Sequence, residues 1–128
     1  MNKINALAIS ASICTGIAGI LHLSMIPAFN EQTTILFLVG GLAQVFWILP
    51  TVKNWGRIWD YIGIVGTIAF ILLLVITRIP DNPVTGRGGM IGDTAIATEI
   101  FQIAFVALMA IIVYLRLPKT ITKIQRTK

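Results

Sequence analysis

The stretch INALAISASICTGIAGILHLSMIPAFN, residues 4–30, carries no formal charge between Lys3 and Glu31, and its reading decides the fold. A spanning helix needs about 20 predominantly apolar residues, with a range of about 17 to 25. This run is long enough to cross a bilayer. Its basic start, Met1-Asn2-Lys3, would suit a secretory leader, but the apolar part far exceeds the about 7 to 15 residues of a leader core. The expectation is a retained membrane helix over about residues 5–27.

Outward from this run the same pattern repeats. Gln32 to Val52, Tyr61 to Thr77 and Ile100 to Leu115 are uncharged, bounded by Glu31, Lys53, Asp60, Arg78, Glu99 and Arg116. They predict helices over about 34–50, 58–78 and 94–117, the last borrowing residues from before Glu99. Of the 128 residues, 56% are hydrophobic and 12% charged, where a soluble domain carries about 25% charged residues. The predicted fold is an all-α membrane protein: an antiparallel four-helix transmembrane bundle over residues 1–118, followed by a basic tail, 119–128.

The net charge of +5 is segregated. Lys3, Lys53, Arg57, Arg116, Lys119, Lys123, Arg126 and Lys128 fall at the amino end, in the middle loop and in the tail, whereas only Arg78 and Arg87 follow the third helix. The positive-inside rule then puts both termini in the cytoplasm of a multi-pass protein of the cell membrane. The tail suits anionic lipid, so the charge does not point to nucleic acid. The single cysteine, Cys14, cannot make an internal disulfide and reads as a small packing residue.

Within the first run Ala8, Ser12, Thr15, Gly19 and His22 recur at spacings of three and four, one stripe of a helix. Small residues there allow close backbone approach, so the stripe is expected to face the bundle. In the second run Gly40 and Gln44 share a face, and an amide at the depth of Gln44 needs an interhelical partner. Trp47, Trp55, Trp59 and Tyr61 surround a turn from Pro50 to Gly56 and read as an interfacial aromatic belt. The third run has Gly63, Gly66, Phe70, Leu74 and Thr77 on one stripe. The connection after it, Ile79 to Gly92, exceeds the usual two to eight residues between bundle helices, and long loops of this kind tend to be functional. Asp93 or Thr94 can cap the last helix.

Topology gathers the costly side chains. The first helix ends outside, the third ends outside and the fourth begins there, so His22, Arg78, Asp93 and Glu99 are expected in the outer third of the membrane, with Gln44 beneath and Gln102 on the face of Glu99. Ionisable residues in membrane helices face a partner or a cavity. The expectation is an outward-facing polar pocket under the 79–92 loop, binding a small ligand, a lipid headgroup or a quinone-like molecule; the alternative is a structural network that fixes helix register. A weaker metal set of His22, Met25, Met90 and Glu99 mixes soft and nitrogen ligands of the kind that suits copper. Paired carboxylates, a nucleophile beside a base, and HExxH are lacking, so no catalytic residue is assigned. Gly86-Arg87-Gly88-Gly89 is a weak anion-binding run and more simply a turn.

Gly19-Ile-Leu-His22 with Pro27, then Phe37, Gly40, Gln44 and Trp47, then Thr77-Arg78 and Gly92-Asp93 with Glu99, resembles a widespread group of small, uncharacterised four-helix membrane proteins of bacteria and archaea. The resemblance covers about residues 16–108. Many members carry a second histidine after the proline and a tryptophan before the arginine; Phe29-Asn30 and Leu74-Val75 stand there in this chain, which weakens a metal reading. The resemblance implies the fold and the site and names no reaction. Small-residue stripes and little soluble mass also admit a second function, an accessory subunit of a larger redox or metalloenzyme complex, with membrane-protein partners or copies of itself. A transporter or channel fits less well, because the cytoplasmic halves lack polar residues to continue a path.

Overall fold

The computed structural model describes residues 1–26, 31–83, 88 and 91–117, with the side chains of Gln32 and Thr33 outside the description. Pro27 to Asn30, most of the 84–90 segment with its glycine run and Met90, and the 118–128 tail therefore lie outside the described residues. Among those described, the chain is all helical: α1 is Lys3–Ser24, α2 Glu31–Phe46, α3 Ile48–Val52, α4 Arg57–Arg78 and α5 Asp93–Arg116. Helices α1, α4 and α5, and α2 with α3 taken together as Thr34–Val52, are four spans long and apolar enough to cross a membrane. The chain is accordingly a multi-pass membrane protein.

Local chemistry sets the ends. The Asn2 side chain accepts the Ile4 N–H at 3.2 Å and caps α1, whose last turn closes as Met25 N–H bonds to His22 O. The second span does not stop at Pro50, as the sequence predicts, but breaks at Trp47 and continues to Val52. Proline has no N–H to give Phe46 O, the carbonyl four residues back, so α2 ends at Phe46. Pro50 then falls in the first turn of α3, where a missing N–H costs nothing. Helix α3 closes with Asn54 N–H to Thr51 O and Trp55 N–H to Pro50 O, a pair of bonds that requires a left-handed residue, supplied by Asn54 at φ 51°. Helix α5 starts at Asp93 after Gly92, so neither Asp93 nor Thr94 is the capping residue; the N-cap is Gly92, without a side-chain bond.

Helix α1 is the central element, packed most extensively against α5 and then against α2 and α3. The predicted stripe is its buried face: Ala8, Ser12, Thr15, Gly19 and His22 are buried, with Ala11, Gly16 and Ala18 beside them. Lipid tails are as apolar as leucine, so association rests on van der Waals contact, which small residues maximise. A Cβ at Gly19 would sit 2.8 Å from Gly41 O, and one at Gly41 would sit 3.0 Å from Gly19 O, so the two backbones touch. Towards the start of α1, Ala8 and Ala11 pack with Phe105, Met109 and Ile112 of α5, all fully buried, and half-buried Cys14 packs against this cluster. Towards its end, Met25 packs with Phe37, Leu74 and Ala95.

The opposite end of the bundle is tied by charge. Arg116, in the last turn of α5, pairs with Asp60 in the first turn of α4, and it also bonds to Asn54 Oδ1 while Arg57 donates to the Arg116 carbonyl. The Asp60 side chain is 4% exposed, and Arg116 is its ion-pair partner. Removing one member of a buried pair strands the other at a cost of about 3 kcal/mol, whereas removing both leaves no stranded charge. Arg116→Leu, which strands buried Asp60, is expected to lower unfolding stability in detergent by about that amount, Asp60→Asn by less because half-buried Arg116 keeps its bond to Asn54, and Asp60→Leu with Arg116→Leu together by clearly less than the sum. Additive losses would show that the pair does not hold these ends together.

Candidate functional site

Two of the predicted site residues meet directly. His22 Nδ1 lies 3.0 Å from Gln44 Oε1 and 3.2 Å from Ala18 O, four residues back on its own helix. A backbone carbonyl can only accept, so Nδ1 carries a hydrogen, and the amide atom facing it must also be an acceptor. That fixes the amide orientation: Oε1 towards His22 and Nε2 away from it. The backbone of Gln44 is held as well, since Thr15 Oγ1 donates to Gln44 O at 3.0 Å. Helix α1 therefore grips Gln44 at two points a little under two turns apart.

The Gln44 side chain sits in the protein interior, 3% exposed, and its Nε2 has no hydrogen-bond partner. Gln44 lines a cavity of about 130 Å³ between α1, α2 and α4, together with Thr15, Trp47, Gly66, Thr67 and Phe70. A smaller cavity, about 30 Å³, is walled by His22, Phe37, Leu74 and Thr77 among others. Phe70 lines both. The predicted α4 stripe is this shared wall, with Gly63, Gly66 and Phe70 on the larger cavity and Phe70, Leu74 and Thr77 on the smaller. The His22 ring packs at 5.4 Å from the Phe37 ring and 6.2 Å from the Phe70 ring.

Trp47 departs from the expected belt. Its ring lies so close to Gly63 that a Cβ there would clash with Nε1, and it forms part of the cavity wall. Trp55 and Tyr61 are exposed, as belt residues are, and Trp59 contacts the Trp47 ring at a tilt and the Trp55 ring edge to face, at centroid distances of 5.7 and 5.1 Å. The sequence signal for this is Gly63, whose missing side chain leaves a slot for an indole. Similarly, Gly40 meets Phe70 of α4 while Gly41, its neighbour, meets α1.

The remaining predicted residues are spread from the end of α4 to the interior face of α5. Arg78 closes α4 and is half-buried, Glu99 is half-buried with Oε1 unpartnered, and Asp93 is exposed at the start of α5. Gln102 is completely buried, and neither its Oε1 nor its Nε2 has a partner. It lies on α5 between Ala95, which packs with Met25, and Phe105, which packs with Ala8 and Ala11, so it faces the middle of the bundle. Two polar residues that helical spacing does not single out also matter. Asn82 is buried and donates to Thr77 O and Ile79 O, folding the start of the long connection onto the end of α4. Asp60 is the buried partner of Arg116, and its signal in the sequence is that it is an acid inside a basic cluster.

Among the described residues no three His, Cys, Asp or Glu side chains gather closely enough to hold a metal ion. Met25 belongs to the apolar cluster with Phe37, Leu74 and Ala95, and Met90 of the copper set lies outside the described residues. The arrangement offers hydrogen bonding at an uncharged wall. No family model, no curated protein and no solved structure matches this chain.

A buried amide with both atoms unspent costs about 1 to 3 kcal/mol relative to a bonded one, and an apolar group of similar size removes that cost. Gln102→Leu is therefore expected to raise the melting temperature of the purified protein in detergent, because no bond is lost. A lower melting temperature would show that Gln102 has a stabilising partner.

Proposed function

We propose that this chain is an antiparallel four-helix bundle of the cell membrane, with both termini cytoplasmic, that holds a small ligand in a polar pocket at the His22–Gln44 pair. The observation that carries the reading is a buried amide, Gln44 Nε2, left without a partner on a residue that lines a cavity. Buried polar groups in proteins are nearly always bonded, and exceptions mark places where something else supplies the bond. Inside a membrane the cost of leaving one open is greater still, because no solvent competes.

The charge distribution supports the orientation. Arg57 and Arg116 lie together at one end with the turn that carries Lys53, while His22 and Thr77 lie towards the ends of α1 and α4 remote from it. With the basic end cytoplasmic, the smaller cavity opens the pocket towards the outer leaflet. Arg78, Asp93 and Glu99 then form the outer rim, and Gln102 extends the polar interior on α5. The task of such a pocket is binding: its walls carry a hydrogen-bond donor, small residues and aromatic rings, the make-up of a ligand site.

Mass spectrometry of molecules that copurify from native membranes tests this. The wild-type chain is expected to bring down a discrete small molecule, and His22→Ala and Gln44→Leu to lose it while keeping their helical circular dichroism. If both folded variants retain the same molecule, the pocket at His22 and Gln44 is not where it binds.

A further inference from the structure

The larger cavity says more about its occupant than that it is small. None of the residues that line it is charged, so it offers no counter-ion to a phosphate or an ammonium group. A charged headgroup moved there from water would be stranded at a cost of several kcal/mol. The polar residues of the wall are Gln44, Thr15, Thr67 and, through its indole N–H, Trp47, and the Thr15 hydroxyl is already engaged with Gln44 O. No acceptor among the described residues, the threonine hydroxyls included, is within bonding distance of Gln44 Nε2.

Shape narrows it further. A cavity of about 130 Å³ is of the order of the about 150 Å³ apolar cavity that admits benzene. Two aromatic side chains, Trp47 and Phe70, contribute to the wall, and flat rings stack on such surfaces. The cavity also has a route from the lipid. Helix α4 packs closely along α5, and its meeting with the second span is made by side chains, Phe70 on Gly40 and Trp47 on Gly63. A seam closed by side chains can be passed by rotating them.

We propose that the cavity between α1, α2 and α4 binds a neutral, lipid-soluble six-membered ring bearing a carbonyl, the chemistry of a quinone headgroup, with the carbonyl oxygen accepting from Gln44 Nε2. The proposal rests on the reading of His22 and Gln44 as a ligand pocket and names the class of ligand. It sets aside the charged lipid headgroup that the same pocket would otherwise admit.

The test uses the full-length protein in detergent and three probes: acetophenone, ethylbenzene and dihexanoyl phosphatidylglycerol. Ethylbenzene has the ring and the chain of acetophenone without its oxygen. Titration is followed by the nitrogen-15 side-chain amide resonance of Gln44. Acetophenone is expected to shift that resonance saturably with one site per chain, leave Gln102 unmoved, and bind about five- to tenfold more tightly than ethylbenzene, the effect of one hydrogen bond. A Cβ at Gly66 meets nothing within 4 Å, so Gly66→Leu fills the space without a clash at the backbone. That variant is expected to stay folded and to lose acetophenone binding at least tenfold, and Gln44→Leu to bind acetophenone and ethylbenzene equally. Equal affinities in the wild type, an unmoved Gln44 resonance, or displacement of acetophenone by the phosphatidylglycerol would overturn the assignment of a neutral ring carbonyl. Loss of a copurifying molecule in Gln44→Leu together with any of these results would leave the pocket standing and only its ligand class wrong.

Discussion

The backbone of α1 touches the backbone of the second span at Gly19 and Gly41, and nearly every other feature follows from that approach. In lipid there is no hydrophobic drive between helices, so the chain gains its association energy from contact area and from hydrogen bonds that span the gap. Glycine at both positions brings the helices near enough for Thr15 to reach Gln44 O and for His22 to reach Gln44 Oε1. Small residues and polar residues therefore serve a single purpose on α1: the former allow the distance at which the latter can bond. Larger side chains at Gly19 or Gly41 would part the helices and break both bonds at once.

That grip has a consequence for the side that faces α4. The Gln44 amide has two ends, and the histidine uses the accepting one. The donating end is left over in a region where α4 meets the second span through Phe70 and Trp47 and not through a close backbone crossing. The cavity and the unspent donor thus have a common origin in one-sided packing: α1 is surrounded by α2, α3 and α5, while α4 is anchored chiefly on α5 and at the Asp60–Arg116 pair. A stable bundle with an opening on one seam is what such an arrangement gives. Stability is supplied at the charged end and along α1, while α4 meets the second span chiefly through the side chains of Phe70 and Trp47.

The spans are legible in the sequence because a run of about 20 residues without charge is what a bilayer crossing demands and what a soluble helix, with its solvated face, does not tolerate. The α1 stripe is legible because three- and four-residue spacing is a property of the helix itself. The partner of Gln44 is legible in kind, as an interhelical bond, and only the structure identifies it as His22. Three things are hidden for a physical reason. The break at Trp47 comes from a proline whose effect falls four residues upstream, so Pro50 itself looks like an end. The indole of Trp47 is equally at home at a membrane interface and against a glycine, and local sequence does not separate these. The Asp60–Arg116 pair joins residues far apart in the chain, which no periodicity can show. The polar group reads in the sequence as a single level of side chains, and the structure shows a bonded pair, His22 with Gln44, and separate residues of unequal burial, with Asp93 exposed.

Whether Nε2 is the unspent end of Gln44 depends on which way the amide faces, and the ring of His22, the only histidine in the chain, reports that directly. The measurement is the nitrogen-15 spectrum of the imidazole in detergent, in which two-bond couplings to the ring hydrogens show which nitrogen is protonated. The arrangement predicts a hydrogen on Nδ1, shared between Gln44 Oε1 and Ala18 O. A bare Nδ1 with the hydrogen on Nε2 would mean that the amide is turned round and its donor already spent on the histidine, and the cavity would then have no open hydrogen-bond donor from Gln44.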